Sequence, residues 1–410
     1  MNRIFYKEVG KRLIGCSTMG KFPSYLGVKA FGVKIGAILP GDDIVEEVSK
    51  AVKKCHKDEL IDDGDIICVK ESIVARAQEN FILKEDIGIE VREKLNLTES
   101  DTLGILFPIA SRNRFIPLLE GFVTAIPKGK LIIQFSYPRD CVGNQIAPED
   151  LEEELGINLN KEELSADQLR KYDFHHPATG VNYLAVYEEI IKKANVEAEI
   201  FLSNNANKIL DHKPKGIIVS SIHDRDKVVE KIKKVFENAI TMQDLFNDSS
   251  KTTWSEWGLL GTNMNSDDKV KLPPRESFSV SKAIQKAIKD STGKNVEVMI
   301  YGDGAYMDPS TGIYELADPV VSFGHSDGMN KRRVGIKYKF FVGTLHAQGK
   351  KRSEIEEIID EQKQKMYEID NISMEGTTPR KLVDITGSLA DLVTGSADAG
   401  TPIVIIKDLL

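Results

Sequence analysis

NYLAVYEEIIKKA (residues 182–194), EAEIFLS (197–203), GIIVSS (216–221) and DKVVEKIKKVFENAI (226–240) alternate helix-like and strand-like apolar patterns. Amphipathic helices separated by short apolar strands are the pattern of α/β packing. Upstream, GILFPIA (104–110) and KLIIQFSYP (130–138) are two further apolar runs, with Ser111-Arg112-Asn113-Arg114 between them. Near the N-terminus, residues 28–39 read as one or two short strands. Pro40-Gly41 marks a turn, and Asp42 or Asp43 can cap a helix over IVEEVSKAVKKC, 44–55. Val45, Val48, Val52 and Cys55 recur at steps of three and four and give that helix one apolar stripe. Asp62-Asp63-Gly64-Asp65 then turns the chain into a strand expected over IICVKESIVA, 66–75, with a further helix near 84–95.

Downstream, QDLFNDSSKTTWSE (243–256) is polar and punctuated, which puts a boundary near 250. GLLGTNMNSDDKVKLPP (258–274) reads as a loop, followed by a helix at 280–290. VEVMIYGDGAYMDP (296–309) is an apolar strand that ends abruptly in Gly302-Asp303-Gly304, with Asp308 and Pro309 behind. Glycines there allow positive φ or close backbone approach to a ligand. Asp303 lies at a strand end, where cations and phosphates are commonly handled; a plain Asp-Gly turn is the competing reading. Residues 350–368 form a charged helix. Thr378 and Pro379 open a last helix with Leu382, Ile385, Leu389 and Leu392 on its apolar face and Gly395 as terminator. The strand TPIVIIKDL follows at 401–409.

The chain has 410 residues, 41% hydrophobic and 29% charged, enough for a sizeable core in two or three domains. A formal net charge of −8 gives no global pull toward nucleic acid. The basic runs Lys331-Arg332-Arg333 and Lys350-Lys351-Arg352 read as solvated surface. No apolar stretch approaches the roughly 18–20 residues of a membrane helix, and the N-terminus lacks an apolar signal region. Cys16, Cys55, Cys68 and Cys141 include no CxxC pair, so a thiol zinc site or redox dithiol is not expected; this usage fits a reducing cytoplasm. GTLHAQGKK (343–351) does not match a Walker loop, and GxGxxG, GxSxG and HExxH are absent. The adjacent His175 and His176 point apart in an extended segment, so a surface loop competes with a ligand role.

What remains is rich in carboxylates and glycines: Asp267-Asp268, Asp303 between glycines, and Gly395-Ser396-Ala397-Asp398-Ala399-Gly400. Carboxylates with loop amides suit Mg²⁺ or Mn²⁺ on nucleotide phosphates. Each loop singly also reads as structural. Five segments in order resemble the coenzyme F-420 gamma-glutamyl ligase family. IGAILPGDDIVEEV (35–48) resembles its nucleotide-contacting turn, and IICVKESIVARAQ (66–78) its SKxVSKAE segment. LLGTNMNSDDKVKLPP (259–274) resembles its CANAGVDxSN loop, VEVMIYGDGA (296–305) its VVISDT strand, and LADLVTGSADAGTPIVIIKDL (389–409) its C-terminal nucleotide loop.

The resemblance implies an α+β, two-lobed fold with mixed sheets. The core would span 1–104 and 251–410, with an inserted α/β region at 105–250 that could build an acceptor pocket. It implies a GTP-dependent ligase that joins L-glutamate or another amino acid to an acceptor carboxylate through an acyl phosphate. Arg76, Asp267 and Asp303 would be catalytic. Gly36, Ala37, Glu71, Arg76, Asn263, Gly395, Ser396, Ala397, Asp398 and Gly400 would contact nucleotide, and Asp267, Asp303 and Gly304 would hold Mg²⁺ or Mn²⁺. A cytoplasmic homodimer is implied as well. Departures from the family pattern are Glu71 and Arg76 for a Ser and a Lys, and Gly304 for a Thr. A metal-dependent phosphohydrolase and a non-catalytic nucleotide-binding protein are the alternatives.

Overall fold

The computed structural model describes residues 23, 25–177, 179–303, 306–307, 314–315, 319–333, 335, 337–365, 380–394 and 400–410. The chain opens with β1 (Lys29–Val33), α1 (Ile44–Lys57), β2 (Ile66–Lys70), α2 (Glu71–Ala77), β3 (Phe81–Leu83) and α3 (Lys84–Leu95). A second run holds β4 (Thr102–Leu106), α4 (Phe115–Val123), β5 (Lys130–Phe135), α5 (Leu151–Leu155), β6 (Leu164–Ser165), α6 (Ala166–Leu169), α7 (Tyr183–Lys193), β7 (Glu197–Leu202), β8 (Gly216–Val219), α8 (Arg225–Lys233) and β9 (Ala239–Thr241). The third begins with β10 (Asn263–Met264), β11 (Lys269–Lys271), α9 (Ser277–Thr292), β12 (Glu297–Tyr301), β13 (Tyr306–Met307), β14 (Tyr314–Glu315) and β15 (Ser322–His325). It ends with β16 (Arg332–Arg333), α10 (Tyr338–Ala347), α11 (Arg352–Lys365), β17 (Arg380–Lys381), α12 (Leu382–Thr394) and β18 (Ile403–Lys407).

Two large sheets organise these elements, and mixed strand directions in both give the α+β character expected. One has five strands in the order β1-β18-β2-β12-β15, drawn from both ends of the sequence. Only β2 and β12 in it run parallel, in the register Glu297↔Ile66 to Tyr301↔Lys70. Its strands alternate cleanly. Ile67, Val69, Val298, Ile300, Ile403 and Ile405 enter the core beneath α1 and α9, while Ile66, Cys68, Met299, Tyr301, Val404 and Ile406 enter the core beneath α12. Apolar side chains on both faces of a strand require cover on both sides of the sheet.

The other sheet has six strands, β6-β7-β5-β4-β8-β9, all from residues 164–165 and 102–241; β6 alone is antiparallel. From β4 the chain adds β5 and β7 on one side, then returns to add β8 and β9 on the other. A small sheet, β10-β11-β3, lies between these units in sequence. Trp257 packs against the cores of both large sheets.

Local sequence explains much of this. The Asp43 carboxylate accepts from the backbone N–H groups of Val45 and Glu46 at 3.0 and 3.1 Å and starts α1. Val48, Val52 and Cys55 are buried along the predicted stripe. Three expectations are corrected. The strand expected over 66–75 stops at Lys70, and Glu71 opens a helix there, because α2 turns Val74, Ala75 and Ala77 into the core. The loop expected at 258–274 contains the hairpin strands β10 and β11, stabilised by pairing of β11 with β3. On α12, Leu382 is buried and Ile385 and Leu389 pack against the core as expected, but Leu392 is 61% exposed. The inward face also holds Thr386, Gly387, Ala390, Asp391 and Thr394, small or polar residues that an apolar stripe does not mark. The expected cap at Thr378 and Pro379 and the terminator Gly395 lie outside the described residues, as does Cys16. No described helix is long and apolar enough to cross a membrane.

Candidate functional site

The carboxyl ends of the parallel pair β2 and β12 lie side by side, and each is followed by charge. Lys70 is the last residue of β2, and Asp303 stands two residues beyond β12. Ligands of sheets with parallel strands are handled at such ends. A register shift at Ile300/Tyr301 interrupts pairing with β15 just before Asp303, a device that re-aims the chain near functional sites. Gly302 is required sterically: a Cβ there would lie 2.7 Å from the Phe323 ring and 2.8 Å from the Val320 carbonyl oxygen.

Lys70 organises the site. Its Nζ donates to Asp303 Oδ1 at 2.9 Å, to Asp391 Oδ1 at 2.8 Å and to the Gly302 carbonyl at 3.2 Å. It also sits 5.1 Å from the centre of the Tyr301 ring, a cation–π distance. The Asp391 side chain is 1% exposed, on the inward face of α12. The other oxygen of Asp303, Oδ2, accepts from Arg114 Nη2 at 2.5 Å. Arg114 precedes α4 and comes from the unit built on the six-stranded sheet. Nearby, the buried Lys271 of β11 donates from Nζ to Glu71 Oε2 at 2.8 Å.

The charges fix one another. Burial would raise the Asp303 pKa, but the cations Lys70 and Arg114, with a smaller contribution from Lys271, hold it below the usual carboxylate range. For Lys70, burial favours the neutral amine, but Asp303 and Asp391 outweigh it and raise the pKa above the ordinary lysine value. Among the described residues the cluster brings together the cations Lys70, Arg114 and Lys271 and the anions Asp303, Asp391 and Glu71.

Arg114 is carried by a well-anchored loop. The buried Asp140 carboxylate accepts from the backbone N–H groups of Ala110, Val142 and Asn144 and from the Asn144 side-chain amide, at 2.7–3.1 Å. Tyr187 of α7 donates its hydroxyl to the Ile109 carbonyl at 2.6 Å. The amide of Met264 in β10 donates to the Asn113 carbonyl at 3.0 Å, which ties the hairpin to the same loop.

Several residues singled out in the sequence meet here. Asp303 is central. Glu71 is present through Lys271, and Asn263 is the cross-strand partner of Lys271. Gly400, at φ +69°, precedes Pro402, whose carbonyl accepts the Lys70 amide at 2.8 Å. Others stand apart from the cluster. Asp267 is exposed at the tip of the β10–β11 hairpin, and its side chain has no hydrogen bond or ion pair among the described residues. Arg76 is exposed in the last turn of α2 without an ion pair among the described residues, and Gly36 and Ala37 are exposed after β1. Gly304, Gly395, Ser396, Ala397 and Asp398 lie outside the described residues. His175 is exposed and His176 buried, as adjacent residues pointing apart should be.

Sequence reasoning missed Lys70, Lys271 and Asp391, and noted Arg114 only within a polar loop. Two signals were available: a lysine ending a wholly apolar strand, and a lone aspartate on a helix face of small residues. Among the described residues, no three His, Cys, Asp or Glu side chains converge as metal ligands. Of the expected metal ligands, Asp303 is the one that the described residues bring into the cluster.

Compared with known proteins, residues 32–408 match the family model described as F420-0:Gamma-glutamyl ligase. No curated protein matches the chain.

Proposed function

The chain belongs to the F420-0:gamma-glutamyl ligase family, and from that premise, which makes it a ligase, we propose a GTP-dependent amide-bond reaction at the Lys70–Asp303–Arg114 cluster. The acceptor's carboxylate oxygen attacks the terminal phosphorus of GTP in line, GDP leaves, and an acyl phosphate forms. The amine nitrogen of L-glutamate then attacks the acyl carbon, loses a proton and displaces inorganic phosphate. The observation that carries this reading is the meeting of Lys70 and Asp303 at the ends of two parallel strands, with Arg114 reaching them from the other sheet.

In this reading Lys70 and Arg114 neutralise charge on the transferring phosphoryl group, the role that preorganised cations play in phosphoryl transfer. A bound triphosphate brings several negative charges, so it calls for an additional cation. Mg²⁺ or Mn²⁺ accompanying GTP would supply that neutralisation and would be held by Asp303, with Asp267 and Gly304 as the other candidates. Arg76, Gly36, Ala37, Glu71, Asn263 and the 395–400 loop are proposed nucleotide contacts. The 105–250 region is proposed to supply the acceptor pocket, within a cytoplasmic homodimer whose mass light scattering would check.

Purified protein with GTP, Mg²⁺ or Mn²⁺, L-glutamate and a panel of small carboxylic acids is expected to release phosphate only when an acceptor and glutamate are both present, with a matching amide product by mass spectrometry. Phosphate release indifferent to glutamate replaces ligation with phosphohydrolysis. Tight GTP binding with no turnover across the panel replaces it with a non-catalytic nucleotide-binding role.

A further inference from the structure

A lysine ammonium has three N–H donors, and oxygens of this chain take all three from Lys70. Asp391 Oδ1 lies 2.8 Å from Nζ, Asp303 Oδ1 2.9 Å and the Gly302 carbonyl oxygen 3.2 Å. The acceptors come from the segment just after β12 and from helix α12, and they converge on the end of β2. With every donor used, Lys70 acts on the site through its charge and not through a bond to a ligand. Two carboxylates and a backbone carbonyl around one point are also a set that hard divalent cations accept, with waters as the remaining ligands. The side chain of Asp391 is 1% exposed, so its charge needs partners within the protein. The Tyr301 ring closes another side of the point, its centre 5.1 Å from Nζ. That ring is buried, with its hydroxyl 3.2 Å from Thr394 Oγ1 of α12. An aromatic face attracts an ammonium, whereas Mg²⁺ asks for an octahedron of oxygens at about 2.0–2.1 Å.

We propose that Lys70 stands in for a divalent cation between Asp303 and Asp391, and that its ammonium keeps metal ions from this point. The inference goes beyond the ligase reading, in which a metal ion arrives with GTP. Here the chain carries a cation of its own, with or without nucleotide. Removing the lysine takes away the charge and the stem that brings it, and leaves two carboxylates facing a space that water and a metal ion can share. Carboxylates that share a site repel one another, so the vacated point should draw a cation from solution.

The test is Mn²⁺ titration of the full chain, read by electron paramagnetic resonance with no nucleotide, glutamate or acceptor present. Lys70→Ala is expected to bind one Mn²⁺ more per chain than the unaltered protein, and Lys70→Ala/Asp391→Asn is expected to lose that addition. Mn²⁺ should also raise the melting temperature of Lys70→Ala more than that of the unaltered protein. Asp391→Asn with Lys70 in place should leave the amount of bound Mn²⁺ unchanged. Circular dichroism follows folding. A Lys70→Ala chain that folds only when Mn²⁺ is added supports the proposal, and one that stays unfolded with Mn²⁺ counts against it, since an ion that fits would restore the missing charge. No added Mn²⁺ in folded Lys70→Ala, an added ion that survives Asp391→Asn, or loss of a bound ion from the unaltered protein on Asp391→Asn alone overturns it. Because no substrate is present, ligation can fail while this result stands, and this result can fail while ligation stands.

Discussion

Replacing Lys271 with Met should damage this protein more than its position at the end of a three-residue strand suggests. The side chains of Lys271 and Glu71 are 8% and 10% exposed and meet at 2.8 Å. At an effective dielectric near 20, Coulomb's law gives about 6 kcal/mol of attraction at that separation. Most of it offsets the loss of water around both groups, so the intact pair contributes little net stability. Removing one partner exposes the asymmetry: a buried carboxylate without its counter-charge costs about 3–5 kcal/mol. Glu71 also stands in the first turn of α2, where a negative charge gains roughly 0.3–1 kcal/mol from the helix dipole. The double variant Lys271→Met/Glu71→Leu removes both charges and should return to within about 1 kcal/mol of the original, less whatever the dipole contributed. Equilibrium urea unfolding followed by tryptophan fluorescence reads this well, because Trp257 packs against both large cores and the Trp254 carbonyl accepts from Asn80 beside β3. A single-variant loss below about 1 kcal/mol, or a double variant as unstable as the single, would refute the reasoning.

Three further outcomes are expected. Asp303→Asn removes the charge shared by Lys70 and Arg114 and should lower ligation by at least about 10²-fold, measured as glutamate-dependent phosphate release. Between about pH 5 and 9 neither Asp303 nor Lys70 should titrate, because one is lowered from a carboxylate value near 3.9 and the other raised from a lysine value near 10.4. A group lowered on folding contributes stability above its unfolded pKa and loses it as pH falls through the folded value, so Asp303's contribution should vanish only in stronger acid; a pH-dependent NMR titration of its carboxyl carbon checks this. Gly387→Ala should destabilise by about 1–3 kcal/mol, since its Cβ would lie 2.3 Å from Val321 and 2.6 Å from Met299; thermal unfolding measures it.

Much of the secondary structure was legible because apolar periodicity is a local property: short apolar runs mark β12 and β18, and steps of three and four mark α1. What a strand pattern does not contain is where a helix takes over. IICVKESIVA is apolar enough throughout to continue as a strand, and only the burial of Val74, Ala75 and Ala77 against the core makes the second half helical. On α12 the apolar stripe placed Leu382, Ile385 and Leu389 correctly and failed at Leu392, and it gave no sign of the small and polar residues that complete the inward face. Asp303 announced itself through its glycines. Its partners did not: Lys70, Arg114 and Asp391 are separated from it by 233, 189 and 88 or more positions along the chain or by a change of sheet, and no single-sequence pattern encodes that convergence.

The place of β18 between β1 and β2 has a consequence for biogenesis. β2 has fully buried residues on both faces, yet its neighbours β12 and β18 are made long after it. The six-stranded sheet has all its strands by residue 241 and can assemble while translation continues. The β2 segment must meanwhile wait as an unpaired apolar edge, the kind of intermediate on which chaperones act. Slow translation between β9 and β18 should therefore threaten solubility more than slow translation between β4 and β9.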